Sequence, residues 1–293
     1  MPFAAAIEKA RVLIEAMPYM QAFEHKVVVI KLGGSFMGNP DEERDVLRDI
    51  AFMDTVGMKP IVVHGGGKEV SAAAEEAGIE PLFVQGLRYT DERTLTIAEH
   101  VLCSKINARY VAMLREMGCR AMGLHSLSSC AIFANRKYLQ DPSGRRMDIG
   151  LVGDVHFVNA ELLIALCNAN VVPVIAPIAR DMAGGKLNVN ADTVAGQVAA
   201  AVQAEKLVMM SDTHGIRRDV NDPASRISEV TEAEIADMVN RGVIAKGMLP
   251  KTEACLNALR GGTRRCHIID GQIPHAILLE IFTDDGVGTM IRL

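Results

Sequence analysis

The sequence predicts an α/β protein: a three-layer αβα sandwich on a mainly parallel central sheet, in two lobes preceded by an extra helix. Three observations predict it. Short Val- and Ile-rich runs alternate with helix-period segments along the chain, the pattern of parallel strands joined by crossover helices. Two of those runs end in glycine turns, "VVVIKLGGSFM" and "PIVVHGGGKEV", where backbone must turn sharply or be approached closely. Finally, Gly57, Gly78, Gly118 and Gly242 each follow a helical pattern, where a left-handed C-terminal cap is needed.

The elements follow in order. In "MPFAAAIEKARVLIEAMPYM", Glu8, Lys9, Arg11 and Glu15 fall at helical spacing. They break any signal-peptide core and predict an amphipathic helix over 4–17. Strands are expected at 26–32 and 59–64, each leading into a helix, 42–56 and 67–77. A long helix follows at 92–117. Residues 130–158 differ, because "CAIFANRKY" and "GLVGDVHFV" alternate with period two around the polar "LQDPSGRR". They predict a β-hairpin protruding from the sheet. A helix at 160–169 and a strand at 171–176 come next. The Gly-rich "APIARDMAGGK" then divides an N-terminal lobe, 1–178, from a C-terminal lobe, 179–293. Beyond it the pattern gives helices at 191–203, 232–241 and 248–260 and strands at 206–211, 266–270 and 288–292. Thr231 and Glu234 are spaced for a capping box on the second of these helices.

Composition narrows the function. A net charge of −5 without a sustained basic block argues against a nucleic-acid partner. No window reaches the roughly 18 apolar residues of a membrane span. The six cysteines show no CxxC spacing, so they read as reduced thiols of a cytoplasmic protein rather than a disulfide framework or zinc site.

Four constellations carry chemistry. Gly33–Gly34 and Gly65–Gly67 follow strands and precede helices, a setting in which backbone N–H groups and a helix N-terminus can receive phosphate. Neither has Walker A or GxGxxG spacing, and either alone could be a plain tight turn. Lys31, at the carboxyl end of a central strand, favours the anion site, since open α/β sheets bind ligands there. In "KLNVNADTVAGQVAAA", Asn188, Asn190 and Asp192 alternate into a small-residue helix; either a helix cap or a site wall accounts for them. In "KGMLPKTEACLNAL", Pro250 suits a first helical turn. Lys251 then sits where the helix dipole disfavours a cation, so a compensating anion is implied unless the ammonium is simply solvated. Arg88 of "GLRYTDERT" precedes a helix capped by Thr90 or Asp91. It either forks onto a ligand carboxylate or pairs locally with Asp91 or Glu92.

Together with "DIGLVGDV", "PVIAPI", "SDTHGI" and "HAILLEIFTDDGVGTMI", these motifs stand in the order of the amino-acid kinase family. The chain resembles that family over nearly its full length, and within it the branch that phosphorylates N-acetylglutamate. The resemblance implies an N-terminal lobe for the amino-acid substrate and a C-terminal lobe for ATP with Mg2+. It implies transfer of the γ-phosphoryl group to the side-chain carboxylate of N-acetyl-L-glutamate, the second step of arginine synthesis, without a covalent enzyme intermediate. Lys31 and Lys251 match the lysines on the transferring phosphoryl group, and Asp192 the carboxylate that holds both. Gly33, Gly34, Gly65 and Gly66 match phosphate donors, and Arg88 and Asn188 the clamp on the substrate α-carboxylate. Ser211, Asp212, Gly215 and Met248 match the nucleotide site. The nucleophile is already ionised near neutral pH, so His64 is expected to position groups rather than act as a base.

The N-terminal helix and the ending "HAILLEIFTDDGVGT" are similar to the arginine-inhibited, hexameric members, in which such helices interlace dimers. That similarity makes Tyr19, His275, Glu280 and Gly288 candidate contacts for arginine as an effector. The alternative is that the helix packs onto its own lobe. The chain departs from the family pattern at Lys68, Tyr89, Ala179, Arg180, Lys246 and the stretch "GLHSLSSCAIFA", 123–134. These departures leave room for a kinase of another N-acylated amino acid, such as an aminoadipate-type acceptor. A non-catalytic arginine or nucleotide sensor is the reading from a different class.

Overall fold

The computed structural model describes residues 3–33, 37–219, 222–283 and 286–293. Helix α1 (Ala4–Phe23) precedes strand β1 (Val27–Leu32), helix α2 (Pro40–Thr55), strand β2 (Lys59–His64) and helix α3 (Gly67–Glu76). A two-residue ribbon, β3 (Phe83–Val84) and β4 (Leu87–Arg88), leads to α4 (Glu92–Glu99), a π-helical stretch His100–Asn107 and α5 (Ala108–Glu116). Next come β5 (Ala121–Leu124), the hairpin β6 (Ile132–Gln140) and β7 (Arg146–Val158), α6 (Ala160–Asn168), β8 (Val172–Ile175), β9 (Ile178–Arg180) and β10 (Lys186–Asn188). The last part carries α7 (Ala191–Ala201), β11 (Lys206–Ser211), β12 (Glu229–Thr231), α8 (Glu232–Asn240), α9 (Leu249–Arg260), β13 (Cys266–Asp270), α10 (Ala276–Phe282) and β14 (Thr289–Arg292).

Among the described residues, eight strands form one sheet in the order β12-β14-β13-β11-β1-β2-β8-β5, and the β13–β14 pair is its antiparallel member. The expected α/β sandwich is therefore present, as one continuous sheet. β1 pairs in parallel with β2 on one side (Lys31 opposite Val63) and with β11 on the other (Lys31 opposite Met209). Both glycine turns and Ser211 thus emerge at the same carboxyl edge of three adjacent strands. Period-two alternation along β1 sends Val28, Ile30 and Leu32 into the core on one face and Val29 into the core on the other. Lys31 shares the face of Val29, under α7.

Glycine caps appear where expected: Gly57, Gly78, Gly118 and Gly242 have φ of 87°, 72°, 92° and 72°. The capping box of Thr231 and Glu234 is formed in both directions. The hairpin is built as expected, but it does not simply protrude. It curls with β9 and β10 into a small closed barrel, bulged between Phe133 and Ala134 and between Arg136 and Tyr138. β9 spans the 178/179 line, and β10 pairs with β7 through Asn188 and Val152, so residues 179–188 belong structurally with the hairpin. The leading helix runs on to Phe23, past Pro18. No helix among the described residues is long and apolar enough to cross a membrane.

Candidate active site

Asp192 is the centre of the site. Its helix begins at Ala191 and is capped by Asn190, whose side chain accepts from the Thr193 N–H at 3.0 Å. The carboxylate of Asp192 is therefore not consumed as a cap. Lys31 Nζ lies 2.9 Å from its Oδ1 and Lys251 Nζ 3.4 Å from its Oδ2. Burial opposes the charge of Asp192, yet Lys31 and then Lys251 outweigh it and hold its pKa below the usual carboxylate value. Lys251 also donates to the Gly247 carbonyl at 3.1 Å, so an ammonium near a helix N-terminus is compensated twice. The two helices that carry Asp192 and Lys251 touch at Gly196, where a Cβ would stand 2.6 Å from the Ala254 carbonyl oxygen.

Glycine makes room for the first lysine. A Cβ on Gly33 would lie 2.0 Å from Lys31 Nζ, so the side chain folds back over a residue that has none. Gly65 donates its N–H to the Leu32 carbonyl at 2.8 Å, joining the two glycine turns. Gly66 has φ of 144° and starts α3 without a side-chain cap, and a Cβ there would strike Ile106 Cδ1 at 2.5 Å. The uncapped N–H groups are open to an anion. Gly34 lies outside the described residues.

A cavity of about 420 Å³ opens beside these groups, lined by Lys31, Gly33, Gly65, Gly66 and Asp192 and, across from them, Arg88 and Asn188. Arg88 is 9% exposed and is not paired with Asp91 or Glu92. One end of its guanidinium donates to the Gly67 carbonyl at 2.8 Å and to Ser71 Oγ at 2.7 Å, while the ring of Phe83 lies 4.7 Å away. Its Nη1 is buried without a partner, which leaves one arm of the fork for a ligand carboxylate. Asp91 instead caps α4, accepting from Thr94 N–H at 2.7 Å.

A second cavity, about 400 Å³, is lined by Ser211, Asp212, Gly215, Met248 and Lys251. The four expected nucleotide residues therefore come together, and Lys251 joins their cavity to Asp192. His64 is fully buried, with Nδ1 2.8 Å from the Gly65 carbonyl and Nε2 3.2 Å from the Asn107 amide. Burial pushes its pKa down to about 4, so the neutral ring braces the turn.

The candidate effector residues gather around α10. Tyr19 of α1 meets Phe282 edge-on at 6.4 Å, and His275, in a left-handed conformation, contacts Asp49 at 2.7 Å. Glu280 is buried and already engaged. It receives the N–H groups of Val287 and Gly288 at 2.9 and 3.0 Å and pairs with His267 and, at 3.9 Å, Lys206.

Most of the departures from the family pattern lie outside the first cavity. Among the described residues the first cavity takes no lining from 123–134. Arg180 and that stretch support each other: the guanidinium donates twice to the Ser126 carbonyl, at 3.2 and 2.7 Å, and Ser126 Oγ donates to Glu99 at 2.5 Å. Tyr89 lines a small pocket behind Arg88, whereas Lys68 does line the first cavity. Sequence reasoning missed Ser71, Thr90, Asn107, Lys206 and His267. Only Ser71 had a signal, one turn beyond Gly67 on the same helix face.

Two anion-receiving cavities meeting at a pair of lysines on one aspartate define a phosphotransferase site. The sequence pattern of the amino acid kinase family matches residues 26–270, and the chain belongs to that family. An acetylglutamate kinase of Symbiobacterium thermophilum is 50% identical over 287 residues, which are 98% of each chain. Among solved structures, N-acetylglutamate synthase of Neisseria gonorrhoeae, complexed with coenzyme A and N-acetyl-glutamate, superposes with a TM-score of 0.85 at 21% identity. The match covers 97% of this chain and 63% of that one. The same synthase complexed with coenzyme A and L-arginine gives 0.77 at 20% identity, covering 96% and 65%. At such identities the likeness is one of fold.

Proposed function

We infer that the chain phosphorylates the side-chain carboxylate of N-acetyl-L-glutamate with ATP, forming N-acetyl-L-glutamyl 5-phosphate in arginine biosynthesis. The observation that carries this reading is the convergence of Lys31 and Lys251 on the two oxygens of Asp192, where the two cavities meet. The acceptor occupies the first cavity, its α-carboxylate on the free arm of Arg88 and beside Asn188. The nucleotide occupies the second, with its terminal phosphate toward Lys251. Residues 1–178 chiefly serve the acceptor and 179–293 the nucleotide.

Two anions must approach each other for the reaction to occur. Lys31, Lys251 and the N–H groups of the glycine turns offset that repulsion, most strongly when charge builds on the phosphoryl oxygens. Asp192 holds both ammonium groups in place and keeps them from repelling each other. Mg2+ accompanying the nucleotide would supply further neutralisation. No base is needed for an ionised nucleophile, in keeping with a neutral, buried His64. The test is an acceptor panel in a coupled ADP-release assay. N-acetylglutamate is turned over, while glutamate and N-acetyl-aminoadipate are at least about tenfold poorer in kcat/KM; an equal or better rate with either would overturn the acceptor assignment.

We further propose a cytoplasmic homo-oligomer, a hexamer in which dimers are joined through α1. Ile7, Leu13, Ile14 and Met17 are exposed on one side of that helix, an apolar stripe suited to a second copy of itself. Removing residues 1–20 should leave dimers by light scattering; an unchanged hexamer would refute this. Arginine is proposed as an effector at the α1–α10 contact, with Tyr19, His275, Glu280 and Gly288 as its surroundings.

A further inference from the structure

Thr90 is fully buried where three elements of the acceptor clamp meet. Its hydroxyl lies 2.9 Å from the Arg88 carbonyl and 3.2 Å from Asn188 Nδ2. Its main chain is joined to the hairpin as well: Thr90 N–H donates to the Ile149 carbonyl at 3.2 Å, and Leu151 N–H donates to the Thr90 carbonyl at 2.6 Å. Gly150 has φ of 78°, and a Cβ there would stand 2.2 Å from the Thr90 carbonyl oxygen, so the chains meet backbone to backbone.

A hydroxyl has a single proton to give. The Arg88 carbonyl can only accept, so that proton goes to it. Toward Asn188 the Thr90 oxygen must then accept, and Asn188 must turn its NH2 end to Thr90. The amide oxygen and the second N–H of Asn188 remain for whatever fills the cavity. We propose that Thr90 is a positioning residue for the acceptor. One buried hydroxyl fixes the main chain at Arg88 and the direction of the Asn188 amide, and through them the reception of the acceptor's carboxylate and amide groups. Thr90 itself does not line the cavity. The inference rests on the acceptor reading above.

Thr90→Val keeps the shape and removes the hydroxyl, so the Arg88 carbonyl and the half-buried Asn188 amide lose that partner. Steady-state kinetics with N-acetylglutamate should show the acceptor KM raised about tenfold, with the ATP KM within about twofold. Thr90→Ser should restore the wild-type acceptor KM. In an Asn188→Ala background, Thr90→Val should raise the acceptor KM by less than it does alone, because only the route through Arg88 is left. If Thr90→Val does not fold, Thr90→Ala removes the same hydroxyl and is read in the same way. An unmoved acceptor KM, or equal losses for acceptor and nucleotide that serine does not restore, would overturn the proposal. A wild-type chain inactive on N-acetylglutamate would instead remove the functional reading, and this inference with it.

Discussion

Lys251→Ala is expected to lower kcat by about a thousandfold while changing acceptor affinity by less than about threefold. The split follows from where Lys251 stands. Its ammonium lines the nucleotide cavity and touches Asp192, whereas the acceptor cavity is lined by Lys31 and Arg88. A charge that meets the phosphoryl group chiefly as negative charge accumulates contributes to the transition state and little to ground-state binding of the acceptor. Turnover measured by ADP release and acceptor affinity by calorimetry check the two halves separately. Unchanged turnover would remove Lys251 from the chemistry; a parallel loss of acceptor affinity would place it in binding instead.

Asp192→Asn is expected to have the largest effect on stability as well as on activity. The substitution keeps the shape and removes the negative charge that pairs with both Lys31 and Lys251, whose side chains are only 8% and 15% exposed. Breaking a buried pair from one side costs about 3–5 kcal/mol, and here two cations lose their partner together. Turnover should fall with stability, since both ammonium groups then lose the carboxylate that holds them at the cavity junction. The pH dependence carries its own sign. The pKa of Asp192 in the folded chain lies below the usual value, so its contribution is complete above about pH 4 and fades as pH falls through the folded pKa. Thermal melts from acid to neutral pH should show this acid loss in the wild type and a flatter curve in the variant. Equal melting temperatures at neutral pH would show that the aspartate does not hold the lysines.

The residues proposed to carry the chemistry were legible in the sequence, because each sits next to a backbone signal. Lys31 and Gly33 end a Val-rich run, Asp192 opens a small-residue helix, and Lys251 follows a proline in a first turn. Six strands of the main sheet were legible for the same reason, as apolar runs between helical segments. What escaped detection depends on long-range pairing. β5 is four residues, "AMGL", with no period to read, and β12 has three. The hairpin alternates clearly, but its closure into a barrel needs β9 and β10, three residues each, whose partners lie elsewhere in the chain. Helix α10 is seven residues and starts from a left-handed histidine rather than a recognisable cap. Thr90 reads locally as one of two candidate helix caps; that role falls to Asp91, and the work of Thr90 appears only when β7 and β10 arrive beside it. Glu280 was legible as a carboxylate, whereas its four partners come from three separate segments.

The contact at Gly196 has a consequence for how the spacing of charges is inherited. The bare Cα there lets two helices lie nearly in touch, and those helices carry Asp192 and Lys251, the anion and one cation of the proposed site. Any side chain at 196 would push the second rod outward and open the gap between opposite charges, although the position meets neither reactant. The distance on which transfer depends is thus encoded partly by a hydrogen atom in the interior, invisible to any survey confined to the walls of the two cavities.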